Sequence, residues 1–199
     1  VSADGSNVEA RYRGLLDAFG LISMGCTATH VGGGLVLTAG HCWPDAPSAR
    51  RDDVPCPGVE IQWGVRERQR PYLTSRCARI LAIENSKDRD YAILRIAGQA
   101  PRAAVPLNLA RPALQAPITI FSHPLKRPLT WSRTCVLTDR NSTAQGADQF
   151  AYECDTDHGS SGAAVLDARS LAVVGIHKGG RDWNYGTYLV DTPIRELIR

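Results

Sequence analysis

The sequence predicts an all-β fold made of two groups of short strands. Short β-type runs recur between turn residues along most of the chain, and a proline-rich stretch divides them near the middle. Helical periodicity is confined to the two ends. Spacing of this kind belongs to β-sandwiches or barrels.

Taken in order, the strand candidates are 26–30, 34–38, 59–64, 79–83 and 91–96 in the first group. Those of the second group are 118–122, 132–138, 163–166 and 171–177. Between them, 98–117 carries Pro101, Pro106, Pro112 and Pro117 and reads as an extended connector. We set the division there, giving 1–105 and 106–199 as the two parts of one unit. Two segments read as helical. Val8, Tyr12, Leu15, Leu16 and Phe19 recur at near-helical spacing over 8–19, and 192–199 has Pro193 suited to a first helical turn.

With 43% hydrophobic and 22% charged residues, the composition is that of a folded globular protein rather than a disordered or fibrous one. The formal charge of +3 is spread along the chain, so no basic tail calls for nucleic acid. The densest basic stretch, 66–70, is interrupted by Glu67 and reads as an exposed loop or strand face. No apolar run approaches the roughly 20 residues that span a bilayer, so no membrane partner is expected. Six cysteines without a C-x-x-C pair point to three disulfides and an oxidising compartment, not to zinc or redox chemistry. The N-terminal residues, beginning Val1-Ser2-Ala3, have no Met and no signal-type apolar region, which suggests a form processed from a precursor.

Three blocks carry chemistry. Leu37-Thr38-Ala39-Gly40-His41-Cys42 is an apolar strand ending in small residues, a His and a Cys. Asp88-Arg89-Asp90-Tyr91-Ala92-Ile93-Leu94 offers two carboxylates, of which Asp90 directly precedes a strand and Asp88 lies further into the polar loop. In Gly159-Ser160-Ser161-Gly162, a serine is bracketed by glycines before an apolar strand. A glycine two residues before a nucleophile lets the backbone turn until its amide and the nucleophile's own amide point at one spot, where an oxyanion would develop. A carboxylate that orients the histidine would complete the set, and Asp90 is preferred to Asp88.

The T-A-G-H-C, D-Y-A-I-L and G-S-S-G blocks, in the order His, Asp, Ser, resemble the chymotrypsin/trypsin-like serine peptidase superfamily. The resemblance implies two six-stranded antiparallel β-barrels with a short C-terminal helix. It implies a triad of His41, Asp90 and Ser161, with the Gly159 and Ser161 amides as oxyanion hole. An extracellular or periplasmic endopeptidase is expected, monomeric, acting on protein or peptide and needing neither cofactor nor metal. Within the superfamily, Tyr152-Glu153-Cys154-Asp155-Thr156 and Val174-Gly175-Ile176-His177-Lys178-Gly179-Gly180 are similar to the substrate-pocket segments of bacterial glutamyl endopeptidases.

That similarity implies Thr156 and His177 as contacts for a substrate carboxylate, with Gly179 beside them and help from the α-amino group of Val1. A hydroxyl and an imidazole both suit a carboxylate, and a protonated His adds charge. The opposite preference also has a candidate, because Asp155 stands six residues before Ser161, where trypsin has its acid for Lys or Arg. Lys178 and His158 are read as solvent-facing, and His30 and His123 as structural. Ser160 stands where trypsin has the acid of its activation salt bridge, which argues against that form of zymogen control. Cys26 with Cys42 resembles the superfamily's histidine-loop disulfide; Cys56 with Cys77 and Cys135 with Cys154 are paired by proximity in sequence only, since six cysteines admit about 15 connectivities. Two rival readings stand beside this one. The first is a protease-like binding module without turnover. The second is an α/β-hydrolase esterase, whose order of Ser, Asp, His this chain does not follow.

Overall fold

The computed structural model describes residues 1–3, 6–46, 48–138, 146, 148–180 and 183–198. The strands of the first group are β1 (Phe19–Ile22), β2 (Thr27–Gly32), β3 (Leu35–Thr38), β4 (Arg51–Pro55), β5 (Glu60–Trp63), β6 (Leu73–Asn85) and β7 (Asp90–Ala97). Six of them close in the order β5-β1-β2-β3-β7-β6, because β6 pairs with both β5 and β7. β6 is long enough for β5 to take its first half and β4 to lie along the same edge of its second half. The second barrel closes as β10-β13-β12-β11-β8-β9. Its strands are β8 (Pro117–Ser122), β9 (Thr130–Thr138), β10 (Gln149–Tyr152), β11 (Ala164–Asp167), β12 (Val173–Gly180) and β13 (Asn184–Tyr188). All pairings between these strands are antiparallel, so the expected double-barrel architecture is the one observed.

The nine expected strands are all present with shifted ends; β1, β4, β10 and β13 are additional. β4, Arg-Asp-Asp-Val-Pro, is almost wholly exposed and ends in a proline, as an edge strand can, so no apolar alternation announces it. The helix expected over 8–19 is reduced to one turn, α1 (Ala10–Arg13), and a 3-10 turn (Leu16–Ala18). Gly14 ends α1, and Phe19 and Gly20 belong to β1, opposite Thr29 and Ala28. Gly20 is required there: a Cβ would come within 2.7 Å of the Ile61 and Trp63 side chains. The apolar spacing of this segment serves an arm that wraps over the barrels. The C-terminal helix is α2 (Ile194–Leu197), shorter than expected; Pro193 is its N-cap rather than part of its first turn, and Arg199 lies outside the described residues. Among the described residues no helix is long and apolar enough to cross a membrane.

Each barrel fills its own interior. Ile22, Val36, Ile61, Trp63, Ile80 and Leu94 pack inside the first, and Ile118, Ile120, Leu137, Phe150, Tyr152 and Val165 inside the second. A third cluster joins them, with Tyr12, Phe19, Leu37, Tyr91 and Ile93 facing Phe121, Trp131, Ile176 and Leu189. Phe19 stacks on Phe121 at 4.9 Å, and Tyr12 meets Phe121 edge-on at 5.6 Å. Each such buried side chain contributes roughly 1.5–3 kcal/mol, so the seam between the barrels is apolar core rather than loose contact. The connector leaves the first barrel where the Val105 amide donates to the His30 carbonyl, and reaches the second where Leu107 bridges Val173. All six cysteines are paired, as Cys26–Cys42, Cys56–Cys77 and Cys135–Cys154. The basic stretch 66–70 forms a mostly exposed turn between β5 and β6, anchored where Arg66 pairs with Asp17.

Three buried histidines make this fold acid-sensitive. His30 donates through Nδ1 to the Ala103 carbonyl at 2.7 Å, and His123 to the Arg127 carbonyl at 3.0 Å. Burial pushes the His30 imidazole below its ordinary value, the His123 imidazole to about 4 and the His177 imidazole to about 3. All three titrate normally once unfolded, so the unfolded chain binds more protons below roughly pH 6.5. Stability is therefore complete above that pH and falls as pH drops toward the folded-state values. At pH 5, His123 and His177 are each expected to cost about 2 kcal/mol relative to pH 7.5. Guanidinium unfolding of the Ser161→Ala protein at the two pH values measures this, and equal midpoints would refute it.

Candidate active site

The His41 block folds as its pattern suggests. β3 ends at Thr38, and Gly40–Cys42 forms a 3-10 turn whose Cys42 is tied to Cys26 just before β2. The turn presents His41 at the seam with about a third of its side chain exposed. Asp90, the first residue of β7, is fully buried and grips the same turn twice. Its Oδ2 lies 2.6 Å from His41 Nδ1, and its Oδ1 accepts the His41 backbone N–H at 3.0 Å. Nδ1 thus carries the proton and Nε2 is free to accept one. Asp88 is exposed in the bend before β7.

Ser161 stands across the seam in the turn between β10 and β11, lining one open cleft with His41. Its hydroxyl donates to the Lys178 carbonyl at 3.3 Å rather than to His41. Gly159 has φ +90°, and a Cβ there would lie 2.8 Å from both the His123 carbonyl oxygen and the Leu125 nitrogen. Among the described residues, neither the Gly159 nor the Ser161 amide donates to another backbone group, so both remain available. Ser160 is buried against Ser122, with the two hydroxyls 3.0 Å apart.

The barrels hold each other's key residue. Thr27, at the start of β2, donates through its amide to the Ser161 carbonyl at 2.9 Å and through its hydroxyl to the Gly159 carbonyl at 2.9 Å. The same hydroxyl accepts the His123 amide at 2.9 Å. In the other direction Thr187, on β13, accepts the Asp90 amide at 2.8 Å and donates back to the Asp90 carbonyl at 3.2 Å. Arg89 adds an ionic link between the barrels, 3.5 Å from Glu84 and 3.3 Å from Asp148. No sequence motif announced Thr27 or Thr187.

The remaining walls of the cleft come from 153–158, 177–180 and 183–184. Thr156 and His177 both line it. Thr156 donates to Asn184 Oδ1 at 2.6 Å, while Asn184 Nδ2 donates to the Cys154 carbonyl at 2.5 Å. Sequence reasoning missed Asn184, which sits in a polar stretch without a motif. His177 is almost wholly buried, with Nδ1 2.5 Å from the Tyr152 hydroxyl. Burial, reinforced by the neighbouring His41, holds its imidazole down at about 3. The positive charge anticipated on His177 is therefore absent at neutral pH, because desolvation of an imidazolium there outweighs the opposing pull of the Asp90 carboxylate.

Asp155 also borders the cleft but is exposed, and Asp157, likewise exposed, pairs with Arg127 at 3.4 Å. Gly179, beyond a bulge in β12, leaves open space where a side chain would stand. Lys178, expected to face solvent, is half-buried, and its Nζ donates to the Ser86 carbonyl at 3.2 Å. His158 is exposed on the rim. The Val1 ammonium group donates to the Trp131 carbonyl at 2.9 Å, and Val1 lines a smaller cleft with Asp155, Thr156 and Ser160. Val1 thus lies behind the wall that carries Thr156.

Two closed six-stranded barrels with a serine and a histidine facing a cleft at their seam define a chymotrypsin-like serine endopeptidase. The model of the trypsin-like peptidase domain matches residues 26–176, most of the chain, and the protein belongs to that family. A comparison with curated proteins finds no match.

The reciprocal grip has a measurable strength. Thr27→Val or Thr187→Val removes a hydroxyl and leaves buried backbone groups without their partner, at an expected cost of about 1–3 kcal/mol each. Denaturant titration of each variant, with the slope unchanged, is the check; a loss below about 0.5 kcal/mol would show that the barrels do not depend on these bonds.

Proposed function

We propose that the protein cleaves peptide bonds through an acyl-enzyme, with His41, Asp90 and Ser161 as its triad and a preference for Glu or Asp before the cleaved bond. The observation that carries the triad is the buried Asp90 bound twice to the His41 turn, with Ser161 lining the same cleft. With Nδ1–H held by Asp90, His41 Nε2 takes the proton as Ser161 Oγ attacks the substrate carbonyl. This requires the serine hydroxyl to turn from the Lys178 carbonyl toward Nε2. The carbonyl oxygen, now negative, is received by the Gly159 and Ser161 amides, each worth roughly 10²- to 10³-fold in rate. His41 then returns the proton to the leaving amine. Water, deprotonated by the same imidazole, attacks the ester and frees the acid and Ser161.

Acidic preference is supported by two residues that line the cleft, His177 through its ring and Thr156 through its hydroxyl, whose single proton goes to Asn184 Oδ1 and has to turn from it to meet a substrate carboxylate. The exposure of Asp155 counts against a trypsin-like reading, since an acid selecting Lys or Arg has to stand at the desolvated base of the pocket. That reading retains one supporting observation, the three carboxylates Glu153, Asp155 and Asp157 around the rim. The resemblance of both pocket segments to bacterial glutamyl endopeptidases adds to the acidic reading. Three disulfides favour an extracellular or periplasmic setting, where thiols are oxidised.

A fluorophosphonate probe is expected to label Ser161, and Asp90→Asn to lower kcat by about 10⁴-fold, because the wrong His41 tautomer is then favoured. Asp88→Asn is expected to leave kcat within about twofold, because that carboxylate is exposed. Absence of labelling on folded protein would indicate a binding module. Specificity is read by cleavage mapping on a mixed peptide library. Cuts after Glu or Asp, lost in His177→Ala, support the reading; cuts after Lys or Arg, lost in Asp155→Asn, reverse it.

A further inference from the structure

We infer that Tyr152 sets the specificity of the cleft by locking His177 in the tautomer that carries its proton on Nε2. The inference rests on the proposed role of His177 as a pocket residue and extends it to how that residue is made selective. Tyr152 is fully buried on β10 beside Phe150, 5.4 Å away between ring centres. Its hydroxyl lies 2.5 Å from His177 Nδ1 and has no other hydrogen-bond partner among the described residues.

Only one arrangement of protons satisfies this pair. If Nδ1–H donated to the phenol oxygen, the phenol's own proton would be left inside the barrel with no acceptor. If the phenol donates to Nδ1, both donors are used, and what remains unsatisfied is a spare lone pair on oxygen. An unused buried donor is the costlier error, and it biases the tautomers by roughly 10- to 100-fold. The remaining ring nitrogen, Nε2, then presents N–H to the cleft that His177 lines. Protonating the ring would require a proton on Nδ1, where the Tyr152 hydroxyl already donates, in keeping with a ring that stays neutral down to about pH 3.

The chemical consequence is a neutral donor facing the side chain of the substrate. A carboxylate or carboxamide oxygen can accept from it. An ammonium or guanidinium group brings only donors and is refused. Because His177 adds no charge, it separates Glu from Gln only through the stronger hydrogen bond that a carboxylate makes, roughly a tenfold difference.

The test is a long-range ¹H–¹⁵N spectrum of the unmodified protein labelled with ¹⁵N-histidine at pH 7, with His177 assigned through its contacts to the Tyr152 ring. An unprotonated Nδ1 and a protonated Nε2 are expected. A protonated Nδ1, alone or with Nε2, would overturn the inference whatever the enzyme cleaves. In Tyr152→Phe the His177 Nδ1 signal is expected to shift, and kcat/KM for a Glu peptide to fall about tenfold while that for a matched Lys peptide does not fall. An unchanged Glu-to-Lys ratio in a folded variant would show that the phenol only fills space. Cleavage after Lys with Nε2 protonated would leave the lock standing and remove the acidic specificity, so the two readings fail separately.

Discussion

The two barrels grip one another through a pair of threonines, and the geometry of the cleft depends on that exchange. Thr27 of the first barrel holds the turn that carries Ser161 in the second, and Thr187 of the second holds the strand end that carries Asp90 in the first. Neither barrel alone contains both His41 and Ser161, so their separation is set at the seam. Apolar packing brings the barrels together but is non-directional. Hydrogen bonds to the backbone beside each functional residue supply the direction that packing lacks.

The same seam explains why a carboxylate can be completely buried there. An isolated charge in a protein interior carries a penalty of several kcal/mol unless it is paired and hydrogen-bonded. Asp90 meets that condition with two donors from the His41 turn. The Cys26–Cys42 bridge fastens that turn to the chain just ahead of β2, the strand that begins with Thr27. One covalent link therefore secures both the histidine turn and the threonine that steadies Ser161.

Opposite the seam, the pocket wall uses buried neutral groups. His177 and Tyr152 face each other inside the second barrel, and Thr156 is held by Asn184, which is itself held by the Cys154 carbonyl. The carboxylates of this wall stand on its rim, where Glu153, Asp155 and Asp157 are exposed, while the half-buried Lys178 ammonium group is held by the Ser86 carbonyl. An open cleft of this kind leaves rim charges screened by water, whereas the inner wall is dry enough for hydrogen-bond direction to count.

Sequence alone determined the features whose physical cause is local. Apolar runs between turn residues marked nine strands, the small residues before His41 marked a strand-to-turn exit, and glycine on either side of Ser160 and Ser161 marked a backbone turn. Proximity in sequence paired Cys56 with Cys77 and Cys135 with Cys154, and the family resemblance paired Cys26 with Cys42, as observed. Tertiary structure alone decided what depends on distant neighbours. β4 and β13 are polar segments that become strands only because β6 and β12 offer them an edge. The arm over 8–19 has helical spacing, yet Phe19 and Gly20 are claimed by β2 and β5. Thr27, Thr187, Asn184 and Tyr152 act through contacts with residues remote in sequence, which no local pattern encodes. The charge of His177 belongs to the same class: the sequence specifies an imidazole, but only the depth of its burial decides that it stays neutral.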